Sequence, residues 1–357
     1  MALTGYTFTG PFSTFYQNMP QAHASSLTIT PTVTPRNYSI DAFRLLGAIA
    51  VILLHVKYRG LSNEVVLPLR WFGRFAVPFF FMASGYFFQK NYAKQGDAAV
   101  MKSLLNLLPI ALVANLVFIL FETSQSGGDL SKVFSVRLFT MSGHLWFLNA
   151  LIGAYLMLWL LLERKADAWL LPLAHAIVAF SLITNAYSLL LGLKAEKAFA
   201  MMILSLPFLI YGYKASQTDF VAKHISVWGA VLLIIGGLFL QTAEILFLYK
   251  HSGYSPHNQE FLLGSLFYAG GIFALALKLS MPHDTVFSEY GRKYSLTIYL
   301  YHPLIVAAVS YAMSQLPAAS LPIGLWLNPV LCVALTLLII RVLSVKTPRV
   351  FRFLNGI

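Results

Sequence analysis

Apolar runs of membrane-spanning length recur along this chain of 357 residues, of which 58% are hydrophobic and only 11% are charged. A helix needs ~20 consecutive apolar residues to cross the hydrocarbon core of a bilayer. Ten segments come close to that length: 38–58, 70–89, 101–122, 144–162, 168–190, 197–213, 225–248, 260–279, 294–314 and 323–345. The pattern predicts an all-α, polytopic integral membrane protein with about ten transmembrane helices.

The loops between these segments are too short to hold a soluble enzyme, so any chemistry has to use the helix bundle. We predict a disordered cytoplasmic tail over 1–36, a transmembrane domain over 37–345 and a cytoplasmic tail over 346–357. The first 36 residues lack the apolar core and cleavage site of a signal peptide. Lys and Arg are more frequent on the predicted inner side, which favours both termini in the cytoplasm.

The net charge of +12 would suit nucleic-acid binding. We exclude that function because the Lys and Arg residues lie in short loops beside the spans, where membrane topology explains them. Lys57, Arg59, Arg70 and Arg74 are exceptions, since they cluster around the first outer loop. Positive charge on the outer side indicates a function for this group. The single cysteine, Cys332, excludes an intramolecular disulfide and a Cys-rich metal site.

The first span carries ionisable residues that a lipid-facing helix would avoid. Asp41, Arg44 and His55 lie in it, and such groups usually mark a working site because each costs roughly 2.5–3.5 kcal/mol to insert. Arg44 and His55 fall on nearly the same helix face, about 16 Å apart along the axis. Ala48 and Val51 between them are small, so this face can line a cleft. Alternatively, Arg44 snorkels and pairs with Asp41 while His55 is interfacial.

The second span begins with a further cation. Arg74 lies close to the predicted depth of His55 on the antiparallel neighbour, and Pro78 can open the helix there. Ser84 lies near the depth of Arg44, and the following Gly85 permits close approach of a ligand or another helix. The intervening phenylalanines, 79–81, favour plain core or lipid contact.

Weaker polar signals occur in three later spans. His144 and Asn149 lie at the depth of His55, whereas an aromatic belt at the interface explains Trp146 without any function. Tyr301 and His302 belong to a polar stripe within the ninth span, where a packing role for the histidine is an equal alternative. Glu244 near the outer end of the seventh span, and Arg292 and Lys293 at the inner start of the ninth, complete the set.

These blocks resemble the bacterial membrane-bound acyltransferase family 3, integral-membrane O-acyltransferases that modify cell-surface glycans. The resemblance covers residues 37–345 and rests on Arg44-x10-His55, on the block Arg74-x-x-Val-Pro-Phe-Phe-Phe-x-x-Ser-Gly-Tyr86, and on the blocks 144–148 and 294–303. The order and spacing of the first two are the specific part.

The resemblance implies ten spans in the bacterial inner membrane with both termini cytoplasmic. It also implies transfer of an acyl group, usually acetyl, from cytoplasmic acyl-CoA to a sugar hydroxyl on the outer face. Many relatives add an eleventh helix and a periplasmic esterase-like domain. Because this sequence ends at Ile357, we expect a standalone member that modifies exopolysaccharide, lipid-linked repeat units or similar glycans.

A mechanistic hypothesis follows for the acceptor end. His55 deprotonates the acceptor hydroxyl as general base, and Arg74, His144 or both stabilise the oxyanion of the tetrahedral intermediate. A covalent acyl-enzyme on His55 is an alternative. The residues expected to bind the acceptor or line its polar cavity are Arg59, Trp146, Asn149, Glu244, Tyr301 and His302.

At the donor end, the phosphates of CoA are expected to meet Arg44, with help from Arg292 or Lys293. Asp41 and Ser84 belong to the same site, and the pantetheine arm reaches toward His55 along Ala48 and Val51. No metal is expected, because the histidines lack tight ligand spacing.

Three alternatives stay open. Succinyl-CoA could replace acetyl-CoA as donor, with Lys57 and Arg59 binding the extra carboxylate. A transporter or flippase could use the same intramembrane charges to bind a glycan intermediate. A structural or assembly role is the third alternative. The partners in every case are the lipid bilayer and, for the first two, a glycan or lipid-linked oligosaccharide, with no nucleic acid.

Overall fold

The computed structural model describes residues 37–56, 58, 63–125, 143–193, 202–256, 259, 261–315 and 321–355. The predicted tail 1–36 and the predicted site residue Arg59 lie outside these residues. Within them the chain forms helices and turns, and no strand. The helices are α1 Tyr38–His55, α2 Asn63–Gly73, α3 Ala76–Gln95, α4 Asp97–Gln125, α5 Trp146–Glu163, α6 Leu170–Ser181, α7 Ser205–Thr218, α8 Phe220–His224, α9 Val227–Ser252, α10 Leu263–Lys278, α11 Val286–Ser314, α12 Leu321–Lys346 and α13 Pro348–Leu354.

Eight helical stretches in the described part of the chain are long and apolar enough to cross a membrane, which confirms the predicted all-α, multi-pass class. They are Tyr38–His55, Val66–Gln95, Asp97–Gln125, Trp146–Glu163, Asp167–Ala186, Val227–Ser252, Val286–Ser314 and Leu327–Lys346. The other two predicted spans, 197–213 and 260–279, correspond to the shorter helices α7 and α10, of 14 and 16 residues. The prediction that both termini are cytoplasmic stays a prediction.

Glycines bring several helix pairs into backbone contact. A Cβ on Gly291 of α11 would lie 1.7 Å from the carbonyl oxygen of Asp41 in α1. Between α3 and α7 the contact is mutual, since Gly85 packs on the carbonyl of Leu209 and Gly212 on that of Met82. Close backbone approach at small residues is how helices associate where lipid offers no hydrophobic driving force. Gly85 therefore admits a helix and not a ligand.

A helix break places Arg74. The stretch Val66–Gln95 is interrupted between α2 and α3 at residues 74 and 75. Pro78 lacks a backbone N–H, and its ring would clash with the carbonyl four residues earlier, which is that of Arg74. The break is therefore a consequence of Pro78, and it puts the arginine at the bend.

Glu244 caps a helix, contrary to its predicted place in a substrate-binding cavity. Its carboxylate accepts hydrogen bonds from the backbone N–H groups of Leu263 (3.2 Å) and Gly264 (2.7 Å) at the start of α10, and from the hydroxyl of Tyr187. The first N–H groups of a helix have no partner within it, and the helix dipole favours negative charge there. The carboxylate satisfies both requirements.

Glu244→Ala should lower the free energy of unfolding by about 1–3 kcal/mol, because it leaves half-buried donors without an acceptor. The midpoint of thermal unfolding in detergent measures this. Glu163→Ala, which removes an exposed carboxylate at the end of α5, is the matched control and should change the midpoint little. Equal losses in the two variants would contradict the capping role.

Tyr301, predicted to line the polar cavity of the acceptor, makes a contact between helices. Its hydroxyl donates to the carbonyl of Leu354 (2.7 Å), and the neighbouring Thr297 donates to the side chain of Asn355 (2.7 Å). The two bonds attach α13 to α11. The segment predicted as a cytoplasmic tail, 346–357, thus contains a helix bound to the bundle.

Candidate active site

Two cavities lie at opposite ends of α1. The Arg44 cavity has a volume of about 260 Å³, and the His55 cavity of about 270 Å³. The Arg44 cavity is lined by Arg44, Phe80, Ala83, Ser84, Phe87, Phe88, Asn91, Ser103, Asn106, Leu107, Phe147, Leu151, Tyr155, Ser295, Leu296 and Tyr299. The His55 cavity is lined by Leu54, His55, Leu67, Arg70, Arg74, Val77, Pro78, Phe81, Trp146, Leu204, Phe208 and Phe261.

The Arg44 cavity combines one cation with neutral polar groups. Asp41 is fully buried, and its carboxylate contacts the Arg44 guanidinium at 3.3 Å, one helical turn away. Asp41 is absent from the cavity lining, so its link to the cavity is its ion pair with Arg44. Ser84 lines the cavity as predicted. Asn91 and Asn106, which the sequence reasoning missed, lie on α3 and α4 opposite Arg44.

The His55 cavity brings three cationic or basic groups together. His55 ends α1, and Arg74 at the bend donates from Nη2 to the carbonyl of Pro256 (3.0 Å). Arg70 lines the same cavity, and it belongs with Arg74 to the cluster of outer cations for which the sequence indicates a function.

A buried aromatic layer separates the two cavities. Phe80 and Phe81 of α3 pack against Phe147, with Phe81 and Phe147 ring centroids 4.6 Å apart, and Phe147 contacts Tyr299 at 4.8 Å. The predicted cleft along Ala48 and Val51 is closed, since Ala48 is 0% and Val51 1% exposed. Arg44 and His55 share a helix face but not one continuous cleft, because the neighbouring helices fill the space between them.

Three histidines meet beside the His55 cavity: His55 at the end of α1, His144 in the turn Gly143–Leu145 before α5, and His302 within α11. The rings of His55 and His302 lie 5.0 Å apart between centroids, and those of His144 and His302 lie 5.7 Å apart. We call these residues the histidine cluster. His302 is fully buried, and His144 is 9% exposed. No group of three or more His, Cys, Asp or Glu side chains in the described ranges has the geometry to hold a metal ion.

The backbone determines the tautomer of each histidine in the cluster. A carbonyl oxygen only accepts, so the ring nitrogen that contacts it carries the proton. His55 donates from Nδ1 to the carbonyl of Val51 (2.9 Å), His144 from Nε2 to that of Leu300 (2.8 Å), and His302 from Nδ1 to that of Tyr299 (2.8 Å). Each neutral imidazole therefore keeps its other nitrogen as an acceptor.

This pattern bears on the roles predicted for His55 and His144. Because Nδ1 of His55 contacts the carbonyl of Val51, Nε2 is the nitrogen that can take a proton from a hydroxyl held in the cavity. His144 uses Nε2 for the carbonyl of Leu300 and lines neither cavity, whereas Arg74 lines the His55 cavity. The oxyanion role of either residue stays a prediction.

The remaining predicted residues lie outside the two cavities, with one exception. Trp146 lines the His55 cavity, whereas the half-buried Asn149 lines neither. Arg292 pairs with Asp284, and Lys293 with Glu289, both at 2.6 Å and partly exposed at the start of α11. The two cations lie at the same end of the bundle as Arg44 but do not face the Arg44 cavity.

Comparison with known proteins places this geometry in context. Residues 37–345 match the family model of an acyltransferase domain. A serine/alanine racemase of Enterococcus gallinarum is 28% identical over 313 residues, which cover 79% of this chain and 42% of the relative. An amino-acid racemase of Enterococcus faecalis is 24% identical over 319 residues, covering 79% and 43%. The chain thus spans less than half the length of these curated relatives. No solved structure matches it.

Proposed function

The chain belongs to acyltransferase family 3, and on that premise we propose that it transfers an acyl group, most simply acetyl, from cytoplasmic acyl-CoA to a hydroxyl of a cell-surface or lipid-linked glycan. The observation that carries the proposal is that His55, whose Nδ1 contacts the carbonyl of Val51 at 2.9 Å so that Nε2 remains as an acceptor, lines a cavity that also contains Arg74. A base and a cation at one cavity match the two needs of acyl transfer, which are proton removal and oxyanion stabilisation.

The reaction proceeds by direct attack. The acceptor O–H bond breaks, its proton goes to Nε2 of His55, and its oxygen forms a bond to the thioester carbonyl carbon. The guanidinium of Arg74 stabilises the resulting oxyanion. When the intermediate collapses, the carbon–sulfur bond breaks and the CoA sulfur takes the proton back from His55.

The donor enters from the Arg44 end. At about 260 Å³ the Arg44 cavity is smaller than the ~300–1,000 Å³ typical of sites for drug-sized ligands. It therefore takes the slender pantetheine arm, with the nucleotide outside and the phosphates at Arg44, whose guanidinium suits bidentate phosphate contact. Since the aromatic layer separates the cavities, its side chains have to move before the thioester reaches His55.

Two substitutions should separate these roles. Arg44→Ala should raise KM for acetyl-CoA by about tenfold to a hundredfold, the value of one lost charge-assisted hydrogen bond. Arg74→Ala should instead lower kcat by about a hundredfold or more, as expected for an oxyanion donor. Initial rates against acetyl-CoA concentration, measured in membrane vesicles with an excess of acceptor, give both parameters. If both variants changed the same parameter, the two-ended assignment would be wrong.

Mass spectrometry of cell-surface glycans tests the function itself. We compare cells with and without the protein, and expect an acyl mass that is lost in the second strain. A succinyl mass in place of acetyl would keep the function and change the donor. No change in any acyl mass would overturn the proposal.

A transporter or flippase of glycan intermediates is the second candidate. Two cavities at opposite ends of the bundle, divided by a buried layer, also suit a protein that opens to each side in turn. The transporter hypothesis predicts that loss of the protein leaves glycan acylation unchanged and alters the export of a glycan. The names of the racemase relatives describe proteins of which this chain matches less than half, and we assign no racemase activity to it.

A further inference from the structure

His302 lies one residue before Pro303, in the middle of α11. Because proline has no N–H, the carbonyl of Tyr299, four residues earlier, loses its helical partner. The Nδ1–H of His302 takes that place at 2.8 Å, with a second, longer contact of 3.2 Å to the carbonyl of Ile298. The bond explains why a donor side chain precedes the proline. The bond does not explain why the donor is a histidine, because the hydroxyl of a serine or threonine could donate to the same carbonyl.

The second ring nitrogen of His302 is the informative atom. Nε2 is fully buried and has no hydrogen-bond partner. Leaving a buried polar atom unsatisfied is costly, so such atoms in a folded protein point to a functional use. The ring of His55 lies 5.0 Å away, with the two planes inclined at 64°.

Proton transfer changes the charge beside this nitrogen. Once His55 accepts the proton of the acceptor hydroxyl it becomes an imidazolium, and the two arginines that line the same cavity, Arg70 and Arg74, disfavour a further positive charge there. Both neighbouring histidines have spent their N–H groups on carbonyls. His144 and His302 therefore contribute acceptor nitrogens to the histidine cluster and no positive charge. Of these acceptor nitrogens, Nε2 of His302 is fully buried.

We propose that His302 is a positioning residue for the base: it stabilises the imidazolium of His55 through its buried, unprotonated Nε2. The inference rests on the proposed acyl transfer and deepens it. His302 lines neither cavity and touches no substrate, so its effect reaches the reaction only through His55. Donor binding at the Arg44 cavity is independent of it.

The test separates the helix-repairing role of Nδ1 from the role of Nε2. Pro303→Ala restores a backbone N–H for the carbonyl of Tyr299, so helix α11 no longer needs the histidine. In that background we add His302→Phe, which keeps a ring of similar shape and removes both nitrogens. Both proteins are assayed in membrane vesicles with radiolabelled acetyl-CoA and membranes that carry the native glycan acceptor, at equal amounts of folded protein.

We expect the double variant to melt at the temperature of Pro303→Ala and to keep its KM for acetyl-CoA. Its kcat should fall by about tenfold or more, part of the ~100-fold or greater contribution of a general base. His302→Gln, which retains one donor and one acceptor, should recover part of kcat. If the double variant had the same kcat as Pro303→Ala, the inference about His302 would be overturned. If the wild-type protein transferred no acyl group, the proposed function would be overturned instead.

Discussion

Replacing His55 with alanine should abolish acylation of the cell-surface glycan while the protein remains folded in the membrane. His55 is the only histidine among the described residues that line the two cavities, and the contact of its Nδ1 with the carbonyl of Val51 leaves Nε2 to act as the base. Loss of a general base lowers turnover by about 10²–10⁴-fold. Mass spectrometry of the glycans from cells that produce His55→Ala measures the loss.

The control for this experiment is His251→Ala. His251 is an exposed histidine near the end of α9, stacked on Phe247, and it lines neither cavity. It should leave acylation at the wild-type level. A folded His55→Ala protein that acylates as well as wild type would exclude His55 as the base, and with it the direct mechanism.

Gly291→Ala should be among the most destabilising single-methyl changes in the bundle. The added Cβ would lie 1.7 Å from the carbonyl oxygen of Asp41, and backbone atoms cannot rotate out of the way as a side chain can. Overpacking of a tight core costs about 1–3 kcal/mol, occasionally more, and a backbone collision belongs at the upper end. Because Asp41 orients Arg44, separation of α1 from α11 should also weaken donor binding.

Thermal unfolding in detergent gives the loss of stability, and the dependence of rate on acetyl-CoA concentration gives the loss of donor binding. Gly270→Ala is the matched control, since a Cβ there meets nothing within 4 Å. It should be neutral, or stabilising by up to ~1 kcal/mol through helix propensity. Equal unfolding midpoints for the two variants would show that α1 and α11 do not pack as closely as described.

Several roles were predictable from local spacing. Asp41 and Arg44 are three residues apart on one helix, so their contact needs no information about the rest of the fold. The bend at Arg74 follows from Pro78 four residues later. In each case the physical cause acts within about one turn of helix.

Other roles depend on partners that are distant in sequence. Glu244 and Tyr301 look like cavity residues in the sequence, because a polar side chain in an apolar span usually faces a site. The structure gives them partners on other elements, the start of α10 and the end of α13. A polar side chain in a membrane span can bond to a neighbouring helix or face a functional site. Only the identity of its neighbours distinguishes these two cases.

The sequence by itself determined that this protein is a multi-pass helical membrane protein of acyltransferase family 3, because hydrophobic length and motif order are properties of the chain alone. It also led to the prediction that His55 and Arg74 are reactive groups. Only the tertiary structure joined His302 to His55, paired His144 with the carbonyl of Leu300 and closed the face between Arg44 and His55. These outcomes depend on which helices pack together, since packing decides where each polar atom finds its partner and which space stays open.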